Sequence, residues 1–189
     1  MNIVFIALLL QAMLMPPRIA LENPAALTVM PKRLQKDYDK AWTLFQAGNK
    51  DAALSRDLDK LLKKEKDFEP ALVIHGYLDL YTGRSHEAED RFETVLRREP
   101  SHRIALYYLA ELAYERNDFL RANDLYSRLL MLPGTPRDLE TKQQKALLLA
   151  VEGLLKDAVR SEAAGNLSDA ETFYSRALQI APTEPSLHA

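Results

Sequence analysis

From Lys32 onward the apolar residues of this chain fall three or four positions apart, in stripes that turn signals interrupt. Leu34, Tyr38, Ala41, Trp42 and Phe45 form the first stripe, which ends at Gly48-Asn49. Leu54, Leu58, Leu61 and Leu62 form the second. Pro70 opens a third, with Leu72, Val73, Gly76, Tyr77 and Leu80, which stops near Gly83. Ala88, Phe92, Val95 and Leu96 follow, with Ser85 placed to cap their helix. Beyond Pro100-Ser101 come Leu106, Leu109, Ala110 and Ala113, then a turn at Asn117-Asp118, then Ala122, Tyr126, Leu129 and Leu130. This spacing predicts amphipathic helices, each burying one stripe and leaving a polar face in water.

The stripes recur. Gly76, Ala88, Phe92 and Val95 stand 34 residues before Ala110, Ala122, Tyr126 and Leu129. A fixed period in this range marks one supersecondary unit stacked on itself. The interval from Ala122 to Ala170 is longer, at 48 residues. Pro133-Gly134-Thr135-Pro136 breaks the chain there, with Thr135 as N-cap and Pro136 at the first helical position. Between that break and Gly165-Asn166 only Gly153 interrupts, so an extended helix near 136–164 is expected. Ser168 and Glu171 have the spacing of a capping box for the helix after it.

These residues resemble tetratricopeptide repeats. The family pattern of Trp-x2-Leu-Gly-x2-Tyr, then Ala-x3-Phe, then Pro is met here by Leu72-x2-His75-Gly76, Ala88-x3-Phe92 and Pro100. It returns as Leu106, Ala110, Ala122-x3-Tyr126 and Pro133, and again as Ala158, Ala170-x3-Tyr174 and Pro182. The first unit is degenerate, with Asp57 where an aromatic belongs; His75, Asp79 and Asp157 also depart from the pattern. The resemblance implies an all-α, right-handed α-solenoid of helix-turn-helix repeats, about four units over residues 32–182. A solenoid of this kind offers an extended binding surface.

The N-terminus reads differently. Ile3 to Met15 is apolar except for Gln11, then meets Pro16-Pro17-Arg18. That run is shorter than the ~20 residues that cross a bilayer. Residues 1–22 are therefore expected to be a signal peptide or a short hydrophobic anchor, residues 23–31 a linker and residues 183–189 a tail. Export to the periplasm or to a membrane surface follows from that expectation, with cytoplasmic residence as the alternative. Glu184-Pro185-Ser186 reads like the opening of a further unit, so the last complete helix, carrying Leu167, Phe173, Ala177 and Ile180, is expected to be unsealed. A fragment of a longer repeat protein gives the same ending.

Composition removes several functions. With no cysteine there is no disulfide or thiolate metal site. His75, His86, His102 and His188 have no ligand spacing, and six glycines form no phosphate loop. A net charge of -2 leaves no electrostatic footprint for nucleic acid. Lys60, Lys63, Lys64 and Lys66 alternate with Asp57, Asp59, Glu65 and Asp67 and read as a solvated face. His75 reads as a satisfied packing residue. No catalytic residue, metal or cofactor is expected, and no small-molecule substrate.

In tetratricopeptide arrays the first helix of each unit lines the inner groove. The matching residues here are Tyr38, Trp42 and Phe45, then Val73, Tyr77, Leu80 and Tyr81, then Tyr107, Glu111 and Tyr114. Aromatic side chains of this kind dominate binding hot spots. The resemblance thus implies a non-enzymatic scaffold that holds a peptide or protein in an aromatic groove, as envelope-assembly accessories of the family do. Some members grip a terminal carboxylate with Lys, Asn and Arg on this face; Tyr, Trp, Val and Glu here argue against that specialisation. The alternative is a structural module that self-associates through its C-terminal repeat.

Overall fold

The computed structural model describes residues 30–135 and 138–181. The expected signal or anchor, most of the linker, Pro136 and the tail lie outside them. Among the described residues there are eight α-helices and no strand. They are α1 (Lys32–Gln46), α2 (Ala52–Lys64), α3 (Glu69–Tyr81), α4 (Ser85–Arg98), α5 (Arg103–Glu115), α6 (Phe119–Leu130), α7 (Asp138–Ala163) and α8 (Leu167–Ile180). The fold is an all-α helical repeat. The chain divides into two compact units, with the division between Leu109 and Ala110, inside α5.

The hairpin turns repeat in their backbone hydrogen bonds. Gly48, Gly83, Asn117 and Gly165 all sit at positive φ, between 62° and 81°. The residue after each one donates its N–H to the carbonyl five positions back: Asn49 to Leu44, Arg84 to Asp79, Asp118 to Ala113 and Asn166 to Ser161. The left-handed residue itself bonds three back, as Gly83 does to Leu80. This is a Schellman ending, which satisfies carbonyls the helix would otherwise leave open. Glycine takes this conformation without a Cβ clash, and asparagine is the side chain that tolerates it best.

In three of these four hairpins the chain turns helical again two residues after the left-handed position, at Ser85, Phe119 and Leu167; after Gly48 it does so four residues on, at Ala52. Ser85 therefore stands one residue inside α4, whose N-cap is Arg84, and makes no cap; this corrects the expected role of Ser85. The same holds in α8, where Asn166 is the N-cap and Ser168 is already helical, so no capping box forms. Asp118 does occupy the cap position and accepts from the Arg121 N–H at 3.3 Å. Asp51 caps α2, accepting from Ala53 and Leu54. The Thr135 hydroxyl turns back to the carbonyls of Leu129 and Leu132, 2.9 and 2.7 Å away, at the end of α6.

In the first unit, α3 is the central helix. Pro70 through Gly76, Leu78 and Asp79 are all buried, so it is wrapped nearly all round. Helix α2 packs against both α1 and α3, and α3 packs closely on α4. Gly76 sets that last approach. A Cβ at this position would come within 2.8 Å of Phe92 Cζ and within 3.1 Å of two further ring atoms. Leu34, Tyr38, Leu54, Leu58, Leu61 and Ile74 fill the rest of the core. Asp57 is buried where later units have Phe92 and Tyr126; Lys40 at 2.8 Å and Lys60 at 3.1 Å neutralise it. The bond from Lys40 is the main cause that holds its carboxyl below the usual range.

In the second unit, α7 runs 26 residues without a break and passes through Gly153. At 1.5 Å per residue that is about 39 Å. It packs on both α6 and α8 through Ala146, Ala150, Leu154 and Ala158. Helix α8 buries only Ala170 and Ala177, and leaves Leu167 and Leu178 at 70% and 77% exposure.

Gly76→Ala adds a methyl that the Phe92 ring must yield to. Overpacking costs about 1–3 kcal/mol, and the gain in helix propensity returns about 1. A net loss of about 1 kcal/mol in unfolding free energy is expected from urea denaturation, and Gly76→Ala with Phe92→Leu is expected to be more stable than Gly76→Ala alone.

Candidate partner-binding surface

Within the first unit the aromatic rings form one connected chain of contacts. Tyr38 stacks on Trp42 with centroids 6.5 Å apart, and Trp42 on Phe45 at 5.6 Å. Phe45 meets Tyr77 edge to face at 5.4 Å, and Tyr77 meets Tyr108 at 6.1 Å. Tyr108 then stacks on Phe92 at 5.2 Å and touches Tyr107 at 5.3 Å. Offset and edge-to-face pairs of this kind contribute beyond their buried area, and they hold the rings in place before any ligand arrives.

The candidate residues separate by depth. Tyr38, Val73 and Tyr107 are buried and belong to the packing between helices, which corrects their placement on an open surface. Trp42, Phe45, Tyr77 and Leu80 are half-buried, and Tyr81 is 45% exposed. The cause is how far other helices cover each position. Val73, Tyr77 and Leu80 are one and two turns apart along a single face of α3, with Tyr81 at its edge, and the ones that neighbouring helices cover are sealed. Lys50, from the α1–α2 turn, places its Nζ 3.8 Å from the centre of the Tyr81 ring and 5.7 Å from that of Tyr77. A cation over an aromatic face is attracted by the ring quadrupole.

Glu111 and Tyr114 belong to the second unit. The Glu111 carboxylate accepts from the Tyr126 hydroxyl and from Lys142 Nζ at 2.7 and 2.8 Å. It ties α5, α6 and α7 together, so its oxygens already serve the fold. Burial, reinforced by the charge of Glu111, pushes the Glu115 carboxyl above its ordinary value. Tyr114 is half-buried, packs edge to face on Phe119 at 5.3 Å and has Lys145 over its ring at 5.8 Å.

The first unit also holds a polar cluster. Asp79 is 1% exposed and its carboxylate is saturated: Arg84 donates to Oδ1 from Nε at 2.9 Å and Nη2 at 2.7 Å, and Arg91 Nε donates to Oδ2 at 2.6 Å. Asp79 thus holds the start of α4 onto the end of α3. Beside it His75 is 2% exposed, with Nε2 3.1 Å from the Ser55 hydroxyl. Its Nδ1 has no hydrogen-bond partner, and the nearest carboxylate, Asp59, is 3.7 Å away. His75 is therefore a packing residue with only one nitrogen satisfied, which corrects the expectation of a fully satisfied ring. Further along, Glu69, Glu99 and His102 bring ligand atoms within 4.8 Å of one another. His102 Nδ1 accepts the Ala105 N–H at 3.2 Å, so the neutral ring carries its proton on Nε2 and donates it to Glu69 Oε1, 3.0 Å away. The ring acts as a cap for α5, and it would lose one of these bonds to ligate a cation.

The repeat turns, the small residue at Gly76 and the ring beneath it agree with the comparisons. The tetratricopeptide-repeat profile matches residues 75–138. This chain belongs to the tetratricopeptide-repeat family. It is 30% identical to DnaJ homolog subfamily C member 3 of Gallus gallus over 155 residues, covering 72% of this chain and 30% of that protein. It is 30% identical to Tetratricopeptide repeat protein 14 of Mus musculus over 128 residues, covering 59% of this chain and 17% of the relative. The human DnaJ homolog subfamily C member 3 is 39% identical over a shorter stretch of 64 residues. The chain thus spans less than a third of these relatives.

Sequence reasoning missed three residues in this tetratricopeptide domain. Tyr108 is the ring that joins Tyr77 to Phe92, and its place beside Tyr107 in a helix was the available signal. Lys50 had no signal, since its role depends on how the turn folds over α3. Arg91 pairs with a residue 12 positions away, and only the departure of Asp79 from the repeat pattern pointed toward it.

Burial, and then the charge of Arg91, hold the His75 imidazolium below its ordinary value of 6.5. The ring is neutral in the folded chain, so on acidification the unfolded chain binds the proton first. Stability is expected to fall as pH drops below 6.5. Urea midpoints at a series of pH values for the native chain and for His75→Gln check this: the loss between neutral pH and about 5 should shrink in the variant. A loss of equal size in both would remove His75 as its source.

Proposed function

We propose that the chain is a non-enzymatic scaffold that holds a peptide or protein segment against the aromatic side of its repeats. Family membership supports the coarse statement, because tetratricopeptide domains are in general protein-interaction scaffolds. The observation that carries the finer one is the connected chain of rings in the first unit, which is anchored in the core at Tyr38 and Tyr108 and reaches solvent at Trp42, Phe45 and Tyr77, with Lys50 bridging Tyr77 to the exposed Tyr81. Rings already held by their neighbours bind with little further loss of side-chain entropy. Their chemistry suits an apolar or aromatic-rich segment, laid down extended or as a helix. Glu111 acts here as a brace rather than as a contact, since Lys142 and Tyr126 already engage it.

A second reading is self-association through the C-terminal repeat, favoured by the exposure of Leu167 and Leu178 on α8. A role in envelope assembly depends on export by the N-terminal segment, and the mature N-terminal residue determined by mass spectrometry tests that step.

Tyr77→Ala with Tyr81→Ala separates the two readings. Truncating a hot-spot tyrosine costs about 2 kcal/mol, roughly thirty-fold in affinity. Capture of a photo-crosslinked partner is expected to fall by at least that factor while the mass in light scattering stays constant. Loss of a dimer with partner capture unchanged would favour the C-terminal repeat instead.

A further inference from the structure

Helices α7 and α8 each carry a second apolar stripe that no described helix covers. On α7 the inner stripe of Ala146, Ala150, Leu154 and Ala158 packs on α6 and α8. Leu148, Leu155 and Val159 lie together about 140° round the helix from it. They are between 43% and 67% exposed. On α8, Leu167, Tyr174 and Leu178 form a corresponding stripe beside the buried Ala170 and Ala177. The two stripes share one side of the hairpin. The Tyr174 hydroxyl of α8 donates to Glu162 Oε2 of α7, 3.1 Å away, and Glu162 continues the line of Leu155 and Val159. Apolar surface gathered in this way on otherwise polar helices marks an interaction site.

Its charge is one-sided. Glu152 stands between Leu148 and Leu155, Glu162 beyond Val159, and Glu171 between Leu167 and Tyr174. Glu152 and Glu171 have no hydrogen bond or ion pair among the described residues, and Glu162 has the neutral Tyr174. The bordering cations are mostly engaged: Lys145 lies over the Tyr114 ring and Arg160 is paired with Asp157 at 2.7 Å, which leaves Lys156. Arg176 is on the far side of α8. The preceding repeat shows what completes such a face. There Tyr126, 48 residues before Tyr174, donates to Glu111 in the same manner. The helix that covers that pair brings Lys142 Nζ to the carboxylate at 2.7 and 2.8 Å. On α7 and α8 the tyrosine–glutamate pair recurs without its lysine.

We propose that this face binds an amphipathic helix of a partner protein, with an apolar stripe seated on Leu155, Val159 and Leu178 and a lysine or arginine meeting Glu162. Exposure alone would suit a second copy of the chain equally. Charge decides between the two occupants. A two-fold pairing would set the carboxylates of this face against their own copies, whereas a basic helix neutralises them. The face lies on the second unit and uses none of the rings near Tyr77, so it stands or falls apart from the aromatic surface.

The test follows the fluorescence anisotropy of a labelled amphipathic peptide, with leucine at every third or fourth position and lysine on both flanks, titrated with the full chain. Saturable binding that weakens with added salt is expected, and the same peptide with glutamate in place of lysine is expected to bind about ten-fold more weakly. Glu162→Gln keeps an acceptor for Tyr174 and removes only the charge; it is expected to weaken binding about three-fold. Leu178→Ser, at a position 77% exposed, is expected to weaken it about ten-fold with an unchanged melting temperature. Tyr77→Ala with Tyr81→Ala is expected to leave it unchanged. No saturable binding, equal binding of the two peptides, binding that Glu162→Gln and Leu178→Ser leave intact, or binding lost with the two tyrosines would overturn the proposal. So would a dimer in sedimentation that Leu178→Ser dissolves, which assigns the face to a second copy.

Discussion

Among the described residues each helical hairpin is closed by one residue in the left-handed region, and much of the described architecture follows from that constraint. The turn at Gly48, Gly83, Asn117 or Gly165 uses the same pair of backbone hydrogen bonds each time. In three of them it leaves three residues between one helix and the next; after Gly48 the connection is two residues longer. Side chains then take their roles from distance to the turn. Phe92 and Tyr126 stand nine residues after Gly83 and Asn117 and are buried; Asp57 stands nine after Gly48 and needs two lysines to be buried there. Capping is subordinate to the same rule. Asp118 caps because the turn delivers it to the right place, and Ser85 does not because the turn delivers it one residue late.

The second constraint is steric. Gly76 lets α3 approach α4 until the Phe92 ring fills the space a Cβ would take. Phe92 in turn supports Tyr108, and Tyr108 supports Tyr77. The exposed aromatic surface therefore rests on a core contact several residues away. A small residue in the interior and a large ring beside it form one device, and changing either moves the rings that face solvent.

The polar departures from the repeat pattern found local solutions. Asp57, His75 and Asp79 replace apolar or aromatic residues, and all three are buried. Asp57 and Asp79 recruit cations, Lys40 and Lys60 for one and Arg84 and Arg91 for the other. A buried carboxylate without such partners would cost several kcal/mol. His75 recruits only Ser55 and leaves Nδ1 unmatched, which is where the packing logic of the repeat stops accounting for the residue.

The period, the small-residue positions and the turn residues were legible in the linear chain, because each depends on neighbours at fixed spacing. From them came the helical class, the family and the position of every hairpin. With Gly153 as the one interruption between Leu139 and Ala163, the stretch likewise permits one long α7. What the linear pattern did not contain was depth within a stripe. Tyr38, Val73 and Tyr107 share an apolar face with Tyr77 and Tyr81, yet the first three are sealed and the last is nearly half exposed. That difference is set by how far helices that arrive from elsewhere in the chain cover each position. Contacts such as Arg91 to Asp79, Lys142 to Glu111 and Lys50 to Tyr81 are decided in the same way. A local pattern sets which residues a helix offers; only packed helices determine which of them meet a partner and which meet water.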